Sequence, residues 1–211
     1  MNLGEVKIQA LALMYPDAIV RFDDTDVEGI EKAVYELKSD SNFQGLLESA
    51  VGSVNRALAQ IEARGLSPIK CIDKAYSLCE KAKDGRVIIE AEKDFLTIER
   101  VLCHKNDATY ACGYSVIGDK IYAELCGNAY TVVYYSKIPR VTRMTRESYE
   151  IDLPNSIAEA IPYFVMSELI GREDSERAKE ARLKFFEVLD RTEKSQAHCH
   201  QCFQIVYSTE W

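Results

Sequence analysis

The chain has 211 residues, of which 47% are hydrophobic and 28% charged, with a formal net charge of -8. That length supports one elaborated domain or two small ones around a real core, and the composition is that of a globular protein. The negative balance argues against a protein whose main affinity is for nucleic-acid phosphates, and no apolar run reaches the length of a membrane span.

Leu3 to Tyr15 places Val6, Ala10 and Leu13 on one helical stripe, with Leu3, Leu11 and Met14 beside it and Pro16 closing the run. Asp17 to Asp40 is acidic, and Ile30, Ala33, Val34 and Leu37 mark a second helix capped near Asp26. Ser41 to Arg64 is the strongest helix of the first half: Phe43, Leu47, Ala50, Val51, Val54, Leu58 and Ile61 keep a helical period. Gly65 is placed to stop it, with Pro68 close behind.

Lys70 to Ala82 is ambiguous between helix and strand. From Val87 the pattern is β: VIIE, FLTIERVLCH, TYACGYSVIG, KIYAELCG and YTVVYYSKIP are rich in Val, Ile, Thr and Tyr and broken by turn residues. Ile117-Gly118-Asp119-Lys120 spells a tight hairpin, because Gly118 can take the positive φ that a two-residue turn requires.

Ile151 to Arg191 then reads as a helical hairpin. Ile157, Ala158, Ile161, Phe164, Val165 and Leu169 share one face, Pro162 predicts a kink, Gly171 a stop, and Asp174-Ser175 a new start. The second helix is expected to bury Ala178, Ala181, Phe185, Val188 and Leu189. A polar break follows at Thr192 to Ala197. In the tail, Phe203, Ile205 and Tyr207 alternate with Gln204, Val206 and Ser208, as in a strand or extended arm.

The order helices, strands, helices predicts an α+β protein. Residues 1–68 and 150–193 form a helical body, 69–149 an inserted antiparallel β-rich lobe, and 194–211 an extended C-terminal arm.

Three groups of residues carry a resemblance. They are Asn55-Arg56-Ala57-Leu58 with Leu66 and Pro68; Asp152-Leu153-Pro154 leading to Ile161-Pro162-Tyr163; and Glu168-Leu169 with Glu173-Asp174, Ala178 and Ala181-Arg182. In these packing motifs the chain resembles the head-to-tail adaptor proteins of tailed bacteriophages, including the tubular tail proteins of short-tailed phages. It departs from them at the inter-helix turn, where Ile170-Gly171-Arg172 stands in place of a more acidic or aromatic sequence. The resemblance implies a virion structural protein rather than an enzyme. Such a subunit is made in the host cytoplasm, assembles as a homo-oligomeric and commonly twelve-fold ring under the portal protein, and carries a downstream tail or nozzle protein. DNA passes through the channel without sequence preference, and neither membrane nor cofactor is implied.

Several stretches carry residue types suited to chemistry. His198-Cys199-His200-Gln201-Cys202 has soft metal ligands and one half of a zinc-knuckle spacing, but no second half follows, so no metal site is expected. Asp24-Thr25-Asp26-Val27-Glu28-Gly29 imitates the front of a calcium loop, yet Tyr35 stands where the bidentate carboxylate belongs. The seven cysteines, with no basic leader and apolar core at the N-terminus, are expected to be reduced thiols. Lys137, Arg140, Arg143 and Arg146 recur every three residues, as a solvated connector or a contact with DNA or an acidic partner. Phe203, Ile205, Tyr207 and Trp211 would dock the arm on the portal or a neighbouring subunit, or complete the chain's own sheet. There is no glycine-rich phosphate loop, nucleophile elbow or HExxH. The rival readings are a small α+β enzyme using Asp, Glu or the Cys/His string, and a cytosolic protein-binding module that grips through the β lobe.

Overall fold

The computed structural model describes residues 1–16, 27–106 and 108–207, with the backbone alone for 27, 28 and 195–207. The fold is α+β, with helices at both ends of the chain and two antiparallel sheets between them. Contacts divide it into a helical unit, residues 1–66 with the chain from Pro139 onward, and a β unit, Ser67–Ile138.

In the helical unit, α1 (Leu3–Met14) opens on a capping box: the Asn2 side chain accepts from the Glu5 N–H, and Glu5 Oε2 accepts from the Asn2 N–H. Its buried set runs almost around the helix and includes Lys7. Helix α2 (Val27–Ser39) is followed by α3 (Ser41–Ala63), capped by Asp40 and stopped by Gly65 at φ 70, a conformation glycine adopts without a Cβ penalty. Gly29, the turn-forming position of the calcium-like stretch, lies within α2, and Asp24 to Asp26 are outside the described residues.

The expected kink at Pro162 is instead a break. Helix α4 (Asn155–Ala158) ends, and α5 (Ile161–Ile170) begins with Pro162 in its first turn. There the missing N–H leaves no helical bond unmade. Seven of the ten residues of α5 are buried, and it packs against α1, α3 and α6 (Ser175–Tyr207) as the centre of the unit. Asp174 Oδ1 accepts from the Arg177 N–H at 3.0 Å to cap α6.

The polar break expected at Thr192 does not interrupt α6, which continues to Tyr207. The Thr192 hydroxyl donates to the Val188 carbonyl one turn back (3.0 Å), and the stretch holds neither Gly nor Pro, so its polarity does not mark a helix end. The extended arm expected over 194–211 is therefore helical as far as Tyr207, and Ser208 to Trp211 lie outside the described residues.

In the β unit, the stretch left ambiguous forms β1 (Ile69–Ala75), a 3-10 turn (Tyr76–Leu78) and β2 (Glu80–Lys81). The remaining strands are β3 (Val87–Glu90), β4 (Phe95–Lys105), β5 (Ala108–Ala111), β6 (Tyr114–Ile117), β7 (Lys120–Ala123) and β8 (Ala129–Ser136). They make two four-stranded sheets, ordered β1-β8-β4-β5 and β2-β3-β7-β6. Gly118, at φ 64, turns β6 into β7 as its sequence predicts.

One run of chain serves both sheets. The Cys112 N–H donates to the Val101 carbonyl of β4 (2.8 Å), and the next residue's carbonyl, Gly113 O, accepts from the Glu124 N–H beyond β7 (2.9 Å). Successive residues of an extended segment present their N–H and C=O groups to opposite sides, so this crossing lets the two sheets share a core. That core contains Val87, Ile89, Val101, Cys103, Ile121, Tyr130 and Val132.

The junction of the units falls earlier than the sequence boundary at 149. Residues 139–150 belong to the helical unit because their backbone is fastened there. Gly4 donates to Glu147 O, Leu3 to Tyr149 O, and Asn2 bridges Glu150.

Candidate functional site

The three groups of packing residues singled out in the sequence lie, Pro68 apart, in the helical unit. Asn55 on α3 clamps the connector, its Nδ2 donating to Val141 O (2.8 Å) and its Oδ1 accepting from the Val141 N–H (2.9 Å). Arg56 Nε donates to Glu168 Oε2 of α5 at 2.7 Å, and Arg182 Nη1 of α6 donates to Glu168 Oε1 at 3.4 Å. One carboxylate thus ties α3, α5 and α6, while Ala57, Leu58, Ile161, Ala178 and Ala181 are buried among the same helices. Arg182 also stacks over Phe164, 4.9 Å from the ring centroid. An open groove of about 630 Å³ is lined by Gln9, Ala12 and Leu13 of α1, Tyr163 of α5 and Val188 of α6.

The basic residues of the connector have different fates. Lys137 is exposed in the β unit, its backbone N–H donating to Asp94 O at 2.6 Å. Arg140 is paired with Glu62 of α3. Arg143 and Arg146 are exposed on either side of Met144, whose own exposure is 91%. All four are exposed, and Arg140 is the one tied to the helical unit through an ion pair with α3.

Next to them, Glu147 accepts from buried Lys7 through both oxygens (2.9 Å each) and from Lys38 (2.9 Å). Burial pulls the Lys7 amine below its ordinary value, against the opposing pull of Glu147.

In the β unit an apolar rim stands out. Cross-strand partners share a face, and Tyr110 lies opposite Cys103, Tyr114 opposite Ala123 and Val116 opposite Ile121. Those three partners are buried, yet Tyr110 is 54% exposed, Tyr114 44% and Val116 42%. The rim side chains thus continue the core face out to solvent. Residues 108–118 carry no charge and no proline, the two commonest protections of an exposed strand.

The opposite face of the first sheet carries a polar ladder across four strands. Thr131 Oγ1 donates to Asp73 Oδ1 (2.6 Å) and, its proton committed there, accepts from His104 Nε2 (2.8 Å). In the neutral imidazole this leaves Nδ1 to accept from the Thr109 hydroxyl (3.0 Å). A second network joins Lys70 Nζ to Asp94 Oδ2 (2.7 Å) and the Tyr134 hydroxyl to Asp94 Oδ1 (3.1 Å). The Lys70 hydrogen bond holds the Asp94 carboxyl below the usual range, and burial, then Asp94 itself, pushes Tyr134 up to about 12. Both networks cross strands and lock register.

The expectation that all seven cysteines are reduced thiols is corrected in the β unit. Cys103 and Cys126 are paired as a disulfide, their Cα atoms 6.3 Å apart, and Cys112 Sγ lies 3.4 Å from Cys126 Sγ. Cys71 and Cys79 stand apart as free thiols. Burial raises the Cys112 thiol above its ordinary value.

Among the described residues no group of three or more His, Cys, Asp and Glu could hold a metal ion. His198, Cys199, His200 and Cys202 lie on α6, but their side chains are outside the description, as are those of Phe203, Ile205 and Tyr207; Trp211 is outside it altogether. No helix among the described residues is long and apolar enough to cross a membrane.

The rim was present in the sequence as the alternation Tyr110, Cys112, Tyr114, Val116, but nothing local said that its outer members stay uncovered. No protein-family model matches the chain, and comparison with curated proteins finds no match either.

Proposed function

We propose that this protein is a virion structural subunit, a head-to-tail adaptor that assembles as a ring beneath the phage portal and joins it to the next tail or nozzle component. The observation that carries this reading is the convergence on Glu168. Arg56 comes from the first of the adaptor-like groups and Glu168 and Arg182 from the third, and together they make one three-helix tie. The motifs thus behave as a packing signature, which is the role the resemblance gives them.

In this reading the helical unit is the body of the subunit, and a twelve-fold ring is the family's usual assembly. Tyr110, Tyr114 and Val116 are apolar and unprotected by charge, the character of the centre of a protein interface. They are the contact with a neighbouring subunit or tail component. Arg143 and Arg146 face passing DNA or an acidic partner, with Lys137 as a further candidate. Phe203, Ile205, Tyr207 and Trp211 remain the portal-docking residues, presented from a helix as far as Tyr207 rather than from an extended arm. The subunit works in the virion after synthesis in the host cytoplasm.

Particle mass measured across a concentration range tests the rim. Wild type should form multimers, and a Tyr110→Ser, Tyr114→Ser double variant should remain monomeric with an unchanged melting temperature. Equal assembly by both proteins removes the rim from the proposal.

A further inference from the structure

The central position of Cys126 is unused by the adaptor reading. Its sulfur is bonded to Cys103 on β4 and touches, at 3.4 Å, the sulfur of Cys112 in the crossing between β5 and β6. The three residues are separated in sequence by 9 and 14 positions. The turn after β4, the crossing and the segment that follows β7 bring them together. Cys103 and Cys112 are buried and Cys126 is partly so, which shields the group from bulk thiols. The Cys112 S–H is also oriented, with the Gly113 and Glu124 carbonyls each 3.4 Å away as acceptors.

We propose that Cys103, Cys112 and Cys126 form an internal thiol–disulfide exchange site in which Cys126 alternates between the other two. Cys112, as the thiolate, attacks Cys126 Sγ. The Cys112–Cys126 bond forms as the Cys103–Cys126 bond breaks, and Cys103 leaves as a thiolate that takes up the proton Cys112 gave away. One disulfide and one thiol are present before and after, so the step needs no oxidant or reductant.

The two isomers hold different strands. With Cys103 bonded, the segment after β7 is tied to the middle of the first sheet, and the crossing is held without a covalent bond, by backbone hydrogen bonds and the burial of Cys112. With Cys112 bonded, the crossing itself is covalently fastened. Tyr110 and Tyr114 flank Cys112 two residues to either side, so exchange selects whether the rim they form is anchored or free to adjust. The site therefore bears on the same surface the adaptor reading uses, but its chemistry is independent of that reading.

The test is disulfide mapping of the full chain, incubated in a glutathione redox buffer, quenched with acid, alkylated and digested without reduction. Wild type should give two linked peptides, Cys103–Cys126 and Cys112–Cys126. Cys103→Ala should give only the second and Cys112→Ala only the first, each with the wild-type far-ultraviolet circular dichroism spectrum. The wild-type map needs no variant, so misfolding of either variant leaves the test intact. Cys112 fully alkylated in wild type, or Cys126 linked instead to Cys71, Cys79, Cys199 or Cys202, overturns the proposal.

Discussion

Truncating Phe185 to alanine probes the buried core of the helical unit. Phe185 is 0% exposed, with ring centroids of Phe164 at 4.9 Å and Phe186 at 5.2 Å, both in edge-on geometry. A buried Phe→Ala change costs about 3–5 kcal/mol through lost transfer energy and the cavity left behind. At about 2–4 °C per kcal/mol for a chain of this size, the melting temperature should fall by roughly 6–20 °C. Phe186 is the internal control. It is half-buried and, besides Phe185, meets the Arg64 guanidinium at 4.8 Å, so Phe186→Ala should cost only about 1–2.5 kcal/mol. Thermal and urea melts followed at 222 nm measure both. A loss at Phe185 below about 1 kcal/mol, or one smaller than at Phe186, would show that the core is not centred on the α5–α6 contact.

Asn55→Ala leaves the buried Val141 backbone without its N–H and C=O partners and should destabilise by about 1–3 kcal/mol in the same melts, whereas Arg56→Ala, losing an exposed ion pair, should cost under about 1 kcal/mol. Asp94 supplies a pH test: its folded carboxyl titrates below the ordinary value of 3.8, so its contribution is present above that value and lost as pH falls through the folded one. The stability gap between wild type and Asp94→Asn, measured at low salt, should close on acidification below about pH 4; a gap that widens there contradicts the Lys70–Asp94–Tyr134 network.

Much of the helical unit is legible in sequence because local signals and burial agree there. Leu47, Val54, Leu58 and Ile61 of α3 fall on the buried stripe their spacing predicts, and Gly65 takes the left-handed conformation expected of a helix stop. Pro162 is ambiguous for a physical reason: a proline within a helical period can kink one helix or open a second, and which occurs depends on how α4 and α5 pack. Strand β1 is hard to read because only Ile72 of its seven residues is buried, so no alternation betrays it. The run from Thr192 onward reads as a break because its residues are polar, but polarity specifies exposure and not conformation.

The candidate surfaces were less legible than the fold. Arg140 shares the spacing and the exposure of Arg143 and Arg146, and only the placement of Glu62 on α3 gives it an ion pair with the helical unit. The cysteine trio is a product of strand register, which pairs β4 with β5 and β8 and which no local spacing of Cys103, Cys112 and Cys126 encodes.

The adaptor assignment stands or falls on assembly with a portal. The direct measurement is the mass of the purified chain mixed with purified portal rings, followed by mass photometry as the chain is titrated in. The account predicts a saturable gain equal to one ring of subunits per portal, with about twelve copies expected from the family's usual symmetry. A chain that remains monomeric at every concentration and adds no mass to the portal would contradict it.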